Sequence, residues 1–280
     1  IPQMFEAAIN KELKGLWIIG EDIVQTDPNS AHVIEAMNSL ELLVVQEIFM
    51  SETAKLATVV LPGTTFLEKD GTFTNTERRI QRVNRAVPPL PGTKPDGLIV
   101  TEMMQKLGFD QPTYDADQVL EEIADIVPFF KGVTRERLGK FGLQWPVQED
   151  GTDTKILHTE TFKLGKGRLK NFDWKESSEI EANQKDYPLI LTTSRVLQHY
   201  NAATMTRRTK NINIVDEDVL LIHPKDAEYR DLNTGDIGRL YSGRGEVALK
   251  VEVTDKVKEG IVFTTFHFPE HMVNMVTGHG

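Results

Sequence analysis

The loop that follows the first apolar run carries residue types that can bind a nucleotide. Gly20 comes directly after residues 16–19, whose composition is that of a buried strand. Glycine at a strand end lets the backbone approach a ligand, and a carboxylate such as Asp22 can accept two hydrogen bonds from a guanine edge or a ribose. Asp22 and Thr26 suit this role. The alternative is a capped loop that binds nothing.

Two further strand ends carry polar residues. Gln46 and Glu47 follow the apolar run 42–45, and Pro62-Gly63-Thr64-Thr65 follow the run 58–61. Since parallel strands end at the same edge of a sheet, these groups favour a nucleotide site on one rim. Polar strand ends are also how any α/β sheet enters its loops. The chain has no G-x-G-x-x-G phosphate loop, which argues against a simple NAD-binding domain.

An arginine cluster lies within residues 71–82, where Arg78, Arg79 and Arg82 occupy three of five positions. The rigid donor fork of arginine suits a phosphate or a carboxylate. A solvated charged strand, or an internal pair between Glu77 and an arginine, explains the cluster equally well.

A donor-rich stretch follows the apolar run 188–191. Arg195, His199 and Asn201 lie among hydroxyl residues where a buried strand opens into a loop, and Thr204 to Arg208 add further donors. This arrangement suits a pyrophosphate and the ring heteroatoms of a pterin. A serine hydrolase is not indicated, because the chain has no G-x-S-x-G nucleophile elbow.

His267 and His271 are spaced i and i+4, which on a helix could bind a metal ion. Pro269 lies between them and no H-E-x-x-H motif occurs, so a structural role is the favoured interpretation.

These stretches need two kinds of scaffold. Strand candidates at 16–19, 42–45 and 58–61 alternate with a helix that we predict to begin at Asp27-Pro28 and a short helix near 51–56, which indicates a parallel α/β layer. Helices are also predicted for 96–107, with Asp96 as the cap, for 117–126 and for 134–141. The last hundred residues read as short strands, which suggests a barrel or a sandwich. The strand candidates there are 188–193, 219–222, 236–241, 247–253 and 260–263.

Composition excludes several classes of function. The formal charge of -10 argues against nucleic-acid binding, which depends largely on basic side chains. No cysteine is present, so the chain supplies no disulfide, thiolate ligand or iron–sulfur cluster. No apolar run could span a bilayer and no signal peptide is evident, so we predict a soluble cytoplasmic protein without membrane insertion. Both ends of the sequence look cut.

Six phrases resemble the C-terminal half of the catalytic subunit of formate dehydrogenases in the molybdopterin oxidoreductase superfamily. They occur in the order of that family and span most of the chain. The phrases are G-E-D-I-V-Q-T-D-P at 20–28, V-V-Q-E-I-F-M-S-E-T-A at 44–54, V-V-L-P-G at 59–63, G-T-F-T-N-T-E-R-R-I-Q at 71–81, R-V-L-Q-H-Y-N-A-A-T-M-T-R-R at 195–208 and F-H-F-P-E-H-M-V-N at 266–274.

The resemblance implies an α/β fold class, with a Rossmann-like domain over 1–170, a linker over 171–187 and a double-psi β-barrel over 188–280. The first part is implied to bind the guanosine of molybdopterin guanine dinucleotide, and the barrel to cover both dinucleotides of the cofactor. The family's closing strand has no counterpart after Gly280, so a C-terminally truncated barrel is expected. By motif match the first nucleotide is lined by Gly20, Glu21, Asp22, Thr26, Gln46, Gly63 and Asp96. The pterin and its phosphate are lined by Arg195, His199, Asn201, His267 and Asn274.

The resemblance also implies a division of labour. The whole enzyme would interconvert formate and CO2 at a molybdenum or tungsten centre held by two molybdopterin guanine dinucleotides. The metal ligand and a 4Fe–4S cluster are expected only in the missing N-terminal half, so this segment alone is expected to be inactive. Its expected partners are that half or other redox subunits. Two alternatives stay open: a non-catalytic cofactor-binding subunit, or the same portion of a nitrate reductase-like enzyme.

Overall fold

The packing of the chain joins segments that are far apart in sequence. The computed structural model describes residues 1–162, 164–175 and 177–278. They form two compact units, Ile1–Val60 with Asp173–Gly280, and Leu61–Phe172. The first unit combines two stretches that are not consecutive in sequence, because packing need not follow sequence order, and the domain boundaries at 170 and 188 stay a prediction. The expected truncation concerns an end, His279 and Gly280, that lies outside the described residues.

The first segment builds an α/β layer around a small sheet. Its strands lie in the order β1-β2-β3, and β1 is parallel to β2 with Trp17 beside Val44. The core contains Phe5, Val33, Leu43 and Val45, all almost fully buried. The elements are α1 (Pro2–Ile9), β1 (Gly15–Ile19), α2 (Ile23–Thr26), α3 (Ser30–Ser39), β2 (Leu42–Glu47), α4 (Glu52–Lys55) and β3 (Val59–Pro62).

The predicted start of the third helix was wrong. The helix does not begin at Asp27-Pro28 but at Ser30, after Asn29, which has the left-handed φ of 59°. A separate one-turn helix, α2, comes first, within the stretch that was predicted to be a loop. Asparagine tolerates the left-handed region better than most residues, so Asn29 makes the turn between the two helices.

The second unit has its own antiparallel sheet and its own core. Strand β5 pairs with both β4 and β6, and Ile80 of β5 packs with Leu120, Val133 and Leu138. Asp96 was predicted to be the cap of its helix, which was wrong. It is the first residue of that helix, and Pro95 occupies the cap position. The elements are β4 (Gly71–Thr74), β5 (Arg79–Val83), α5 (Asp96–Lys106), α6 (Ala116–Ile126), α7 (Arg135–Leu138) and β6 (Leu143–Gln144).

The last segment returns to the first unit as a mixed five-stranded sheet in the order β7-β11-β8-β10-β9. Strand β11 is parallel to β7 and antiparallel to β8, which is parallel to β10. Inward residues Val247, Leu249 and Val251 alternate with exposed ones along β10, as a half-buried strand requires. The elements are α8 (Ser178–Asn183), β7 (Ile190–Ser194), β8 (Val219–Ile222), α9 (Pro224–Glu228), β9 (Ile237–Tyr241), β10 (Glu246–Val253) and β11 (Ile261–Thr265).

Short 3-10 helices complete the connections, at Phe66–Glu68, Pro128–Phe130, Thr206–Arg208, Lys210–Asn213 and Val273–Met275. Within the described part of the chain, no helix is long and apolar enough to cross a membrane.

Candidate cofactor-binding site

The loop after β1 presents backbone at the carboxyl end of the parallel pair. Gly20 has a φ of +65°, and open space lies where a Cβ would stand. Its N–H donates to the carbonyl of Gln46 at 2.8 Å, which joins the ends of β1 and β2. Glu21 is exposed, whereas the side chain of Gln46 is buried. A ligand can therefore approach Gly20 and Glu21 directly, while Gln46 lies beneath them.

The Asp22 carboxylate is occupied within the protein. It accepts hydrogen bonds from the N–H of Thr53 at 2.9 Å, from the Thr53 hydroxyl at 2.7 Å and from the N–H of Glu52 at 3.2 Å. These donors belong to the first turn of α4, so Asp22 caps that helix from another loop. The Thr26 hydroxyl donates to the main-chain carbonyl of Asp22 at 3.1 Å. We refer to Asp22 with Glu52 and Thr53 as the first carboxylate clamp.

Gln25 connects three loops, a role that its sequence did not predict. Its side-chain amide is buried and lies within 3.1 Å of the carbonyl oxygens of Ala202, Phe266 and His267. The first of these follows β7 and the other two follow β11. The carboxyl ends of β1, β7 and β11 are thereby joined in one unit. Gln25 stands within the quoted phrase at 20–28, but nothing in its sequence neighbourhood indicates these partners.

The loop after β7 divides into exposed and buried residues. Arg195 is exposed, and its guanidinium lies over the Phe266 ring at 5.4 Å. His199 is buried: its Nε2 donates to the carbonyl of Val215 at 2.8 Å, and its Nδ1 forms a hydrogen bond with the Thr206 hydroxyl at 3.0 Å. Both ring nitrogens of His199 are therefore engaged within the protein.

His267 is fully buried beneath the same loop. Its Nδ1 donates to the carbonyl of Asn201 at 2.8 Å, and its Nε2 accepts from the N–H of Val196 at 3.1 Å. This pattern requires the neutral ring, and burial lowers the pKa of His267 below its ordinary value. Asn201 supplies its main-chain carbonyl from the left-handed region, with a φ of 49°. The two residues shape the loop together.

Asn274 holds the loop after β11 to the loop after β1. Its side-chain amide donates to the main-chain carbonyl of Gln25 at 2.8 Å, and its carbonyl oxygen accepts from the Thr277 hydroxyl at 2.8 Å. The residue is buried. Its predicted contact with a pterin stays a prediction, and its observed contacts are with the protein.

Asp218 is a second residue whose role its sequence did not predict. It is fully buried at the start of β8, where the antiparallel pairing with β11 places it beside the end of that strand. Its carboxylate accepts from the N–H groups of His267 and Phe268, both at 3.1 Å, and from the Thr265 hydroxyl. We refer to these four residues as the second carboxylate clamp.

Gly63 and Asp96 belong to the second unit. Gly63 forms an isolated parallel bridge with Lys94, and Asp96 pairs with Lys69.

In the arginine cluster, the Arg78 guanidinium donates to the carbonyls of Trp145, Thr154 and Lys155. Arg79 lies 3.5 Å from Glu77, which is the internal pair that the sequence left open. Arg78 is therefore a structural residue.

A pocket of about 400 Å³ in the first unit lies beside the joined loops. Arg207, Arg208 and His271 line it together with acidic side chains, so both signs of charge are present. Burial and the neighbouring Arg208 lower the pKa of Arg207. Among residues 1–162, 164–175 and 177–278, no group of three His, Cys, Asp or Glu side chains could hold a metal ion.

Curated relatives match almost the whole chain. The alpha subunit of the F420-dependent formate dehydrogenase of Methanocaldococcus jannaschii is 42% identical over 281 residues, which cover 99% of this chain and 42% of the relative. The alpha subunit of F420-dependent formate dehydrogenase 2 of Methanococcus maripaludis is 41% identical over 282 residues, 99% of this chain and 41% of the relative. The chain thus spans about two fifths of the length of these relatives.

Fold and family comparisons point the same way. The structure of acetylene hydratase from Pelobacter acetylenicus matches with a TM-score of 0.72 and 19% identity, over 98% of this chain and 42% of that one. This likeness concerns the fold alone. The Molybdopterin oxidoreductase family profile matches residues 1–106, and the Molydopterin dinucleotide binding domain profile matches residues 189–280. With the formate dehydrogenase alpha subunits as relatives over 99% of its length, the chain belongs to the molybdopterin oxidoreductase superfamily.

Proposed function

We propose that this chain is the cofactor-holding C-terminal portion of a formate dehydrogenase, an enzyme that interconverts formate and CO2. Its cofactor would be a molybdenum or tungsten centre held by two molybdopterin guanine dinucleotides. The observation that carries the proposal is the joined rim of the first unit, where Gln25 ties the carboxyl end of β1 to those of β7 and β11. Ligands of α/β proteins bind at such ends, because the loops there converge.

The exposed groups of this rim fit a dinucleotide. Gly20 leaves open space above its backbone at the end of β1, so a planar base or a ribose can approach closely. Arg195 presents an exposed guanidinium, which suits a phosphate or a ring heteroatom. Leu197 and Tyr200 are 103% and 75% exposed on the same loop, which offers apolar surface to a flat ring. The rim thus combines backbone, charge and apolar surface.

The residues of this chain would bind and orient the cofactor. Gly20, Glu21 and Asp22 would face the guanosine end, while Arg195 and the loop after β11 would face the pterin end. When bound, the cofactor supplies the two-electron chemistry. The chain has no cysteine, so a thiolate ligand to the metal would come from outside these residues, as would the 4Fe–4S cluster.

We expect the mixed five-stranded sheet to be part of a double-psi β-barrel, and the parallel layer to be the Rossmann-like domain. Two observations support this expectation. The dinucleotide binding profile matches residues 189–280, and the five-stranded sheet contains both parallel and antiparallel strand pairs.

Purification of the full-length protein that contains this chain tests the proposal. Acid hydrolysis should release guanine nucleotide, elemental analysis should find molybdenum or tungsten, and formate should reduce a viologen dye. A second assay with nitrate in place of formate distinguishes a formate dehydrogenase from a nitrate reductase-like enzyme. Absence of guanine nucleotide contradicts cofactor holding, and turnover of nitrate without turnover of formate favours the nitrate reductase-like alternative. The 280-residue chain alone should oxidise no formate.

A further inference from the structure

The side chain of Gln25 lies in an environment of carbonyl oxygens. Only 3% of the residue is exposed. Its Nε2 lies 3.1 Å from the oxygens of Ala202 and Phe266 and 3.0 Å from that of His267. Two amide hydrogens thus serve three acceptors, so one hydrogen is shared. Without these donors, buried carbonyl groups would lose partners, which is costly in a dry interior.

Gln25 contributes more than its side-chain amide. Its main-chain carbonyl accepts from the Asn274 amide at 2.8 Å, so the segment after β11 is bound through both the side chain and the main chain of Gln25. Arg207 donates to the carbonyl of His267 at 3.1 Å and points the same nitrogen toward the Gln25 side-chain oxygen at 3.5 Å. The amide therefore faces acceptors at its nitrogen and a cation at its oxygen.

Glutamine is specified by this environment. Glutamate has the same shape but only acceptors, so it would repel three carbonyl oxygens. Methionine has a similar volume but leaves the carbonyls unpaired. The contacts reach across 177, 241 and 242 positions in sequence, so no local turn could replace them.

We propose that Gln25 is a positioning residue for the cofactor. It holds the loop that carries Gly20 and Glu21 at a fixed distance from the loops that follow β7 and β11. A dinucleotide that contacts both groups of loops meets a preformed surface, because the distance between these loops is set before the dinucleotide binds. The inference rests on the proposed function and adds a residue that faces the protein, not the ligand.

The experiment uses the full-length enzyme with Gln25→Glu and Gln25→Met. Gln144→Met is the chemical control, since the Gln144 amide also donates to a main-chain carbonyl, that of Glu77 at 3.1 Å, but in the other unit. Val251→Ala is the stability control, because it removes buried volume from the core of the first unit and leaves the loops intact.

Three quantities are measured on each protein. They are the guanine nucleotide that stays bound after gel filtration, the melting temperature, and the amide hydrogen exchange of residues 199–203 and 264–270. Both Gln25 variants should retain cofactor about tenfold to a hundredfold more weakly, as removal of a supporting hydrogen bond does at metal sites. Exchange in the two segments should be faster. Val251→Ala should lower the melting temperature and keep the cofactor.

Full retention in a folded Gln25 variant overturns the positioning role. Equal cofactor loss in Val251→Ala at a matched melting temperature also overturns it, since Gln25 would then act through stability alone. If Gln25→Glu does not fold, Gln25→Met, which carries no new charge, decides the question. Wild-type enzyme without guanine nucleotide refutes the proposed function itself, so the two failures are distinguishable.

Discussion

The two carboxylate clamps of the first unit have the same chemistry and different sequence settings. Asp22 accepts two consecutive main-chain N–H groups and the Thr53 hydroxyl. Asp218 accepts two consecutive main-chain N–H groups and the Thr265 hydroxyl. Asp22 follows a strand in a loop of ligand-binding type, whereas Asp218 precedes a strand in a run of acidic residues. Only Asp22 was predicted to bind a ligand.

A carboxylate at a strand end is therefore not a ligand-binding group by its position alone. Both clamps satisfy main-chain N–H donors, and both aspartates are buried. The first clamp lies below Gly20 and Glu21, which are exposed, so it supports the surface that a nucleotide would meet. The two clamps would differ in function if Asp22 also contacts guanine, and experiments can test this.

The largest expected effect comes from Asp218→Ala. The change leaves the N–H groups of His267 and Phe268 and the Thr265 hydroxyl without an acceptor in a buried site. We expect the free energy of unfolding to fall by about 3–5 kcal/mol, measured by urea denaturation. Asp216→Ala removes an exposed carboxylate two residues away and is the matched control. Equal stability of the two variants would contradict the clamp.

Asp22→Ala should have a smaller effect on folding. The freed N–H groups lie at the start of α4, where the Ser51 side chain still caps the helix. A loss of about 2–3 kcal/mol is expected for the cofactor-free protein. Guanine nucleotide bound to the full-length enzyme should fall as well. Unchanged cofactor content together with this loss of stability would show that Asp22 stabilises the fold and does not bind the cofactor.

Acidification should weaken the second clamp region through His267. Burial lowers its pKa in the folded protein, while Asp218, His199 and Arg195 are the charged or titratable groups that face it. The unfolded chain therefore binds a proton at higher pH than the folded one, and stability is lost as the pH falls below about 6.5. Denaturation midpoints between pH 7.5 and 5 measure this. His267→Gln should flatten the slope, and an unchanged slope would exclude His267 as its source.

The smallest effect is expected at an exposed carboxylate with one partner. Glu259 pairs with Lys225 at 2.9 Å, and this hydrogen bond lowers the pKa of Glu259. Both groups are largely exposed, so water replaces the partner when it is removed. Thermal unfolding of Glu259→Gln should match that of the wild type within error. A clear drop in the melting temperature would show that the difference in stabilisation between the clamps and surface ion pairs does not come from burial.

Much of the secondary structure was predictable because it depends on local patterns. Strand β8 was predicted with its observed bounds, and β1, β2 and β10 within two residues, since apolar runs bounded by polar turns mark them well. The start of α3 was wrong because Asp27-Pro28 resembles a helix start and the alternative, a left-handed Asn29, has no equally clear signal. Arg78 and His199 look like ligand donors in sequence, and their internal partners appear only in the fold.

The sequence by itself determined the family, the strand-end loops and the absence of thiolate chemistry, because ordered motifs and composition are properties of the chain. Tertiary structure alone decided which polar groups face inward. Gln25 and Asp218 acquired their roles from carbonyl and amide groups up to 242 residues away in sequence. A buried polar side chain is defined by its partners, and those partners are brought together only when distant loops meet at the ends of the strands.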